Sequence, residues 1–322
     1  MRLDFVSIGE VMVQFNPLAS GPLRYVRYYE VHVAGTEANM LVGLTKLGYR
    51  TGIITRVGDD EFGKLIVNFL RGEGVDVSRV RIDPEAYTGI YFIQRHFPVP
   101  GSSTVYYYRR GSAASKLSPE DVDEEYVAHA GAVILTGITL ALSESCRRAV
   151  EKMYGIAISQ GKDVIFDTNI RMKLWRREDR AREAIARFLG AKLVFTNRED
   201  LGILFPGLSV IDAAKRIIDR GSELVVVKMG PEGAIAVDKE HRVYKSQAFS
   251  IPHVEDVVGA GDSFNAAFIA SIYRGEPIEN ALLYANAAGA LAVTVRGDVE
   301  AQPSWDDLRL FLESQGKALM LR

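Results

Sequence analysis

The sequence predicts an α/β fold in which a large, mostly parallel sheet carries helices on both faces and a small β-sheet lies over it as a lid. The large sheet is indicated by short apolar runs that alternate with helical patterns, most regularly after Ser118. The lid is indicated by two aromatic-rich segments, residues 11–34 and 88–111, whose side chains alternate as in exposed strands. The two segments could pair as one small sheet inserted into a single domain spanning residues 1–322.

The elements of the body follow from hydrophobic period and from start and stop signals. Glycines at Gly48 and Gly72 end two early helices, and the run from Ser118 to Asp121 combines an N-cap, a proline and two acids that predict a helix start. The predicted strands are 3–8, 51–57, 132–136, 163–167, 192–196 and 223–228, with a hairpin at 233–238 and 241–246; the predicted helices are 37–47, 60–70, 143–160, 176–189, 209–220, 263–274, 278–294 and 304–313.

Composition and charge disfavour several classes of function. A net charge of −2 gives no electrostatic reason to expect nucleic acid or an anionic membrane as a partner. The longest uncharged stretch, 281–295, is too short to span a bilayer. The single cysteine, Cys146, cannot form an intrachain disulfide, and the chain begins without a signal-peptide pattern, so we expect a cytoplasmic location.

A turn of sequence VGAGD at residues 258–262 is the most informative feature of the chain. Glycines let successive amides converge, and the following helix adds free N–H groups and the positive end of its dipole, so the turn predicts an anion pocket suited to a phosphate. Asp262 stands at the edge of this pocket, where a carboxylate could accept the proton of an attacking hydroxyl group. An N-cap role for Asp262 or Ser263 explains the same residues without a ligand.

Polar loops follow three of the predicted strands. One contains Asn169 and Arg171, the next Asn197 and Asp200, and the third begins at Lys228 and continues through two glycines, Gly230 and Gly233. Because the carboxyl ends of parallel strands face a common crevice, we expect these loops to share a ligand site with the glycine turn. Each loop taken alone is also explained as a turn or a helix cap.

The second lid segment carries a candidate anion-binding face. Its two strand-like runs are interrupted by Pro98, Pro100 and Gly101, which predict a hairpin. Strand alternation places Tyr107 and Arg109 on one face, and an aromatic ring beside a guanidinium suits a small anion such as a carboxylate. A solvated edge strand is the alternative.

Several common sites are absent from the sequence. No G-x-x-x-x-G-K-[ST] loop is present, the glycine turn lacks the third glycine of a dinucleotide fingerprint, and five scattered histidines give no metal-ligand spacing.

These motifs resemble those of the ribokinase-like (PfkB) carbohydrate kinases. The glycine turn resembles the second signature of that family, and residues 35–39 with the glycines between 48 and 63 resemble the first. Segments 33–39, 93–96, 107–113, 166–171 and 296–298 resemble the branch of the family that phosphorylates 2-keto-3-deoxygluconate. The resemblance covers nearly the whole chain and implies a ribokinase-like fold, ATP as phosphoryl donor and Mg²⁺.

The resemblance also implies roles for individual residues. Asp262 would accept the proton of the C6 hydroxyl, and the amides of Gly259, Ala260 and Gly261 would bind the transferring phosphoryl group. Mg²⁺ would lie mostly on phosphates and water, with Asp200 reaching it only through water. The sugar acid would contact Gly35, Tyr91, Tyr107, Tyr108, Arg109, Arg171, Asp262 and Asp298; ATP would contact Asn169, Arg171, Asn197, Lys228, Gly230, Gly233 and residues 259–262.

The expected partners are therefore a sugar acid and ATP, with neither nucleic acid nor membrane, and the family implies a homo-oligomer formed through the lid. Three alternatives stay open at the level of the sequence. They are the same fold acting on a neutral sugar or nucleoside, a non-catalytic sugar or nucleotide sensor, and a dehydrogenase.

Overall fold

The computed structural model describes residues 2–99, 103–300 and 302–316. It contains a nine-stranded sheet and a four-stranded sheet, in the orders β13-β12-β11-β10-β9-β8-β1-β4-β5 and β3-β2-β6-β7. The strands are β1 (Phe5–Ile8), β2 (Met12–Pro17), β3 (Tyr29–Ala34), β4 (Thr51–Gly58), β5 (Asp76–Asp83), β6 (Ile90–Arg95), β7 (Ser103–Tyr108), β8 (Ala132–Thr136), β9 (Asp163–Asp167), β10 (Leu193–Asn197), β11 (Leu224–Lys228), β12 (Ala234–Asp238) and β13 (Val243–Ser246).

The large sheet is parallel from β5 to β11, and the hairpin β12–β13 adds two antiparallel strands at one edge. Its helices are α1 (Thr36–Lys46), α2 (Glu61–Gly72), α3 (Glu124–Ala128), α4 (Gly137–Leu142), α5 (Glu144–Ser159), α6 (Met172–Trp175), α7 (Glu178–Ala186), α8 (Arg198–Leu204), α9 (Val210–Ile218), α10 (Ala260–Tyr273), α11 (Ile278–Ala292) and α12 (Trp305–Ser314). None of the helices in the described part of the chain is long and apolar enough to cross a membrane.

Helices cover both faces of the large sheet. Successive strand residues point to opposite sides of the sheet, so they are buried in two separate cores. Phe5 and Ile165 belong to a core formed with α1, α10 and α11, whereas their neighbours Val6 and Phe166 belong to a second core formed with α5, α7 and α9. The predicted sheet covered on both faces is therefore confirmed.

The small sheet joins the two predicted lid segments. Strands β2 and β6 pair in parallel at its centre, and β3 and β7 pair antiparallel outside them. One face carries Gln14 and Tyr91 toward the body, while Phe15 and Phe92 stack on the opposite face with ring centroids 4.7 Å apart. The hairpin predicted for the second segment is confirmed, although its predicted turn residues Pro100 and Gly101 lie outside the described residues.

Some elements differ from those that the sequence predicted. The helix start predicted at Ser118 is present, with a capping box between Ser118 and Asp121, but the element is a single 3₁₀ turn, Pro119–Asp121, and Asp123 caps a separate helix, α3. The edge strand β5 was not predicted, since its charged residues give it a half-buried pattern without an apolar run. Helix α10 begins at Ala260 rather than at residue 263, so the glycine turn and the first turn of the helix overlap.

Candidate active site

The glycine turn has the conformation that its sequence predicts. Gly259 has φ +78°, and a Cβ there would lie 2.9 Å from the Cα and carbonyl oxygen of Asp298, so glycine is required for both reasons. Gly259 is the N-cap of α10, and no side chain caps the helix. The first N–H groups of a helix lack intrahelical acceptors, and Ala260 and Gly261 line the cleft at this point. The simple N-cap explanation of Asp262 and Ser263 is therefore wrong.

Asp262 is a buried carboxylate at the wall of this cleft. Its side chain is only slightly exposed, and its Oδ2 accepts a 2.7 Å hydrogen bond from Asn39 Nδ2. Burial raises the pKa of Asp262 to about 6, and the charge of Asp167 adds to this, while the Asn39 hydrogen bond and the positive charges of Lys228 and Arg171 oppose it. The group is therefore ionised near neutral pH yet basic enough to accept a proton.

Asn39 joins Asp262 to a second buried carboxylate. The same Nδ2 donates to Asp298 Oδ2 at 3.0 Å, and Gln14 Nε2 donates to Asp298 Oδ1 at 2.8 Å and to the Tyr91 hydroxyl at 2.6 Å. Burial, and then the charge of Asp262, raise the pKa of Asp298 to about 7. Sequence reasoning missed Gln14 and Asn39, although Asn39 lies one turn after the predicted site residue Gly35.

Lys228 extends from the end of β11 toward the glycine turn. Its Nζ lies 2.9 Å from Asp167 Oδ2 and 3.1 Å from Asn265 Oδ1, and Asn265 Nδ2 in turn donates to Asp167 Oδ2 at 2.6 Å. A Cβ added at Gly261 would lie 3.8 Å from this Nζ. The ammonium group thus lies beside the glycine turn, in the cleft where the end of this strand was predicted to lie.

A further buried acid, Glu37, was not anticipated. It lies in the first turn of α1 and accepts 2.5 Å hydrogen bonds from the hydroxyls of Thr136 and Thr139, at the end of β8. Burial raises the pKa of Glu37 to about 7, although the two threonine hydrogen bonds lower it. Only the spacing from Gly35 gave any sequence signal for this residue.

The cleft has two adjoining parts that meet at the glycine turn. The first, of about 640 Å³, lies under the lid and is lined largely by polar residues, and the second, of about 640 Å³, is more apolar. Residues of the first part include Tyr107, Asn169, Arg171, Asn197, Lys228 and Asp262; residues of the second include Gly233, Phe249, Ile251, Phe264, Asn286 and Val293. Gly230 and Gly261 line both. Sequence reasoning missed most of the second part because apolar lining residues resemble core residues.

Several predicted substrate residues lie behind the cavity wall. Arg109 is buried, and its Nε lies 2.6 Å from Glu10 Oε2, while its guanidinium lies over the Tyr107 ring at 5.3 Å. Tyr108 points to the opposite face of the lid, where it contacts Phe92 and is 59% exposed. Gly35, Tyr91 and Asp298 are also absent from the cavity lining. Direct contacts from these residues to a sugar acid stay predictions.

Among residues 2–99, 103–300 and 302–316, no group of three or more His, Cys, Asp or Glu is placed to hold a metal ion. Asp200 is buried, its Oδ2 accepts from Thr168 Oγ1 at 2.6 Å and from the Ile170 amide at 3.0 Å, and burial raises its pKa. Its neighbour Glu199 lines the cavity instead. A water-mediated role for Asp200 stays a prediction.

A nine-stranded α/β body with a small β lid, and a glycine turn beside a buried carboxylate, together define a ribokinase-like fold. Residues 2–305 match the family model of the pfkB family carbohydrate kinases, and the chain belongs to that family. The predicted fold and family are therefore confirmed.

The chain is similar to several named proteins. It is 47% identical to a 2-dehydro-3-deoxygluconokinase from Thermoproteus tenax, over 94% of this chain and 92% of that protein. It is 31% identical to a 5-dehydro-2-deoxygluconokinase from Clostridium perfringens, over 98% of this chain and 94% of that protein. Its structure is similar, with a TM-score of 0.89 and 27% identity, to a candidate ribokinase II from E. coli in complex with ATP and Mg²⁺, covering 97% of this chain and 99% of that one.

Proposed function

We propose that the protein transfers the γ-phosphoryl group of ATP to the C6 hydroxyl of 2-keto-3-deoxygluconate. The observation that carries the proposal is Asp262, a buried carboxylate with a pKa raised to about 6, placed in the first turn of α10 directly after the glycine turn. The substrate follows from the T. tenax relative, which is named for this sugar acid under its synonym 2-dehydro-3-deoxygluconate.

In this reaction Asp262 accepts the proton of the C6 hydroxyl as its oxygen attacks the γ-phosphorus. A new oxygen–phosphorus bond forms, the bond between the γ-phosphorus and the bridging oxygen breaks, and ADP leaves with the electron pair of that bond. The amides of Gly259, Ala260 and Gly261 stabilise the charge on the transferring group, and Lys228 lies beside the same pocket.

The two-part cleft suits a nucleotide and a polar acceptor. The more apolar part fits the adenine base, and the glycine turn lies where the γ-phosphate would meet the acceptor. Mg²⁺ would neutralise phosphate charge and would be held by the phosphates and water, with Asp200 reaching it only through water. The E. coli neighbour in complex with ATP and Mg²⁺ supports this assignment.

Positive charge near the lid suits the carboxylate of the sugar acid. Arg171 lines the cavity, and Arg109 lies behind Tyr107, paired with Glu10. A guanidinium binds a carboxylate through paired hydrogen bonds, whereas a neutral sugar offers no such partner. We assign Arg171 to direct contact, and Arg109, whose charge Glu10 balances, to holding the Tyr107 ring at the cavity.

The outer face of the lid is suited to a second copy of the chain. It exposes Val31, Tyr106 and Tyr108, and a surface of this kind, rich in aromatic residues, is typical of interfaces. Light scattering tests this assembly, because Val31→Asp should give monomers if the lids pair and should change nothing otherwise. The free, buried Cys146 and the use of ATP favour a cytoplasmic location.

The proposal is tested by ADP release with a panel of acceptors. Turnover should be highest with 2-keto-3-deoxygluconate and lower with 5-dehydro-2-deoxygluconate, the acid for which the C. perfringens relative is named. Ribose and adenosine serve as neutral controls. Efficient turnover of a neutral control without turnover of either acid would contradict the proposal.

A further inference from the structure

A buried hydrogen-bond network joins the lid to the segment that precedes the glycine turn. Arg95, the last residue of β6, is 4% exposed. Its Nε donates to Asn16 Oδ1 at 2.8 Å within the lid, and its terminal nitrogens donate to the Glu255 carbonyl oxygen at 2.5 Å and to Asp256 Oδ2 at 2.7 Å. One planar guanidinium thus holds acceptors on both sides of the boundary between lid and body.

Asp256 carries this connection into the turn. Its side chain is buried, and its Oδ2 also accepts from Asn16 Nδ2 at 3.1 Å. Its other oxygen, Oδ1, accepts at 3.2 Å from the backbone N–H of Val258, the residue directly before Gly259. The two oxygens of one carboxylate therefore bond the lid on one side and the turn on the other. Moving either end would leave buried charged groups unpaired, which is costly.

We propose that Arg95 is a positioning residue. From the lid it holds Asp256, and Asp256 in turn holds the glycine turn. The turn therefore keeps its phosphate-binding shape only while the lid lies in its observed place. The inference rests on the proposed phosphoryl transfer and adds a residue that the chemistry does not touch. Neither Arg95 nor Asp256 lines either part of the cleft. Small errors in the placement of anion-binding amides reduce rate steeply, because those amides act on charge that develops in the transition state.

A purely structural role is the competing explanation, and the chain offers a matched control. Arg56 also forms a largely buried ion pair, with its Nε 2.8 Å from Asp121 Oδ2, but its partners are Asp121 and Ser118 rather than the turn. Arg56→Ala should lower the melting temperature as Arg95→Ala does. Only the Arg95 variant should disturb the turn.

The experiment combines kinetics with hydrogen exchange on the full-length protein. Arg95→Ala should lower kcat about 100-fold, with the KM for ATP changed no more than about threefold, because the lost interaction acts in the transition state. Amide exchange in residues 254–264 should accelerate, and a low concentration of guanidinium ion should restore part of kcat. Arg56→Ala should leave kcat and this exchange unchanged.

Three outcomes would overturn the proposal: Arg95→Ala with kcat within about threefold of the wild type, unchanged exchange in residues 254–264, or an equal kcat loss in Arg56→Ala. Should Arg95→Ala not fold, Arg95→Lys decides, since the compact ammonium of lysine cannot reproduce the planar, spread donors of the guanidinium and should still accelerate exchange. If the wild type does not phosphorylate the sugar acid, the proposed function fails, while the exchange comparison still tests the role of Arg95.

Discussion

Replacing Asp262 with asparagine should abolish most activity and stabilise the fold. Burial raises the pKa of Asp262 to about 6, whereas an aspartate in an unfolded chain has a pKa of about 4. The unfolded chain therefore gives up this proton first, and stability falls as the pH rises from about 4 to about 6. Above that range the buried charge costs about 3 kcal/mol, which Asp262→Asn should recover at pH 8 and not at pH 4. Loss of the base should lower kcat about 10²- to 10⁴-fold.

Urea unfolding at pH 8 and pH 4, together with ADP release, measures both effects. Asp238→Asn provides a control of opposite sign. Burial by itself would raise the pKa of Asp238, but hydrogen bonds from the backbone and side chain of Arg242 lower it, so its charge stabilises the fold and neutralising it should destabilise the protein at pH 8. An Asp262→Asn protein that is less stable than the wild type at pH 8, or that keeps kcat within about tenfold, would refute the reasoning.

Three further predictions concern the same site. First, kcat/KM for the wild type should fall as the pH drops below about 6, because the base becomes protonated; a flat profile from pH 5 to 8 would exclude Asp262 as the base. Second, Asn39→Ala should move this fall in kcat/KM to higher pH, since the Asn39 hydrogen bond lowers the pKa of Asp262. An unchanged pH profile would show that the hydrogen bond does not affect the ionisation of Asp262. Third, Gly259→Ala should lower kcat at least about tenfold, whereas Gly275→Ala, at φ +87° with open space around it, should cost only about 1 kcal/mol of stability; equal kinetic effects would argue against the clash with Asp298.

Local patterns in the sequence were sufficient for most of the body. Strand and helix periods, and glycine and proline signals, identified β8, β9 and α5 nearly to the residue, because burial on both faces of the sheet leaves a strong apolar signal. The edge strand β5 was not predicted, because half-buried strands rich in charged residues lack that apolar signal. Capping residues correctly marked the helix start at Ser118, but they do not give the length of the element, which is a single 3₁₀ turn followed by a separate helix capped by Asp123.

The sequence predicted those parts of the candidate site that depend on an unusual backbone conformation or that lie at the ends of strands. The glycine turn and Lys228 fall in this class. The link from Asn39 to Asp262 spans 223 residues, and the link from Gln14 to Asp298 spans 284, so only the folded chain brings these groups together. The orientation of Arg109 toward Glu10 was also beyond the sequence, because alternation gives the face of a strand residue but not its partner.

The proposed phosphoryl transfer depends most on the contact between Asp262 and the acceptor hydroxyl. A crystal structure of the ternary complex with 2-keto-3-deoxygluconate and a non-hydrolysable ATP analogue tests it directly. The account predicts that the C6 hydroxyl lies about 2.6–3.2 Å from the Asp262 carboxylate, with the γ-phosphate on the amides of residues 259–261. A C6 hydroxyl bound to Asp298 or Glu37, out of reach of Asp262, would contradict it.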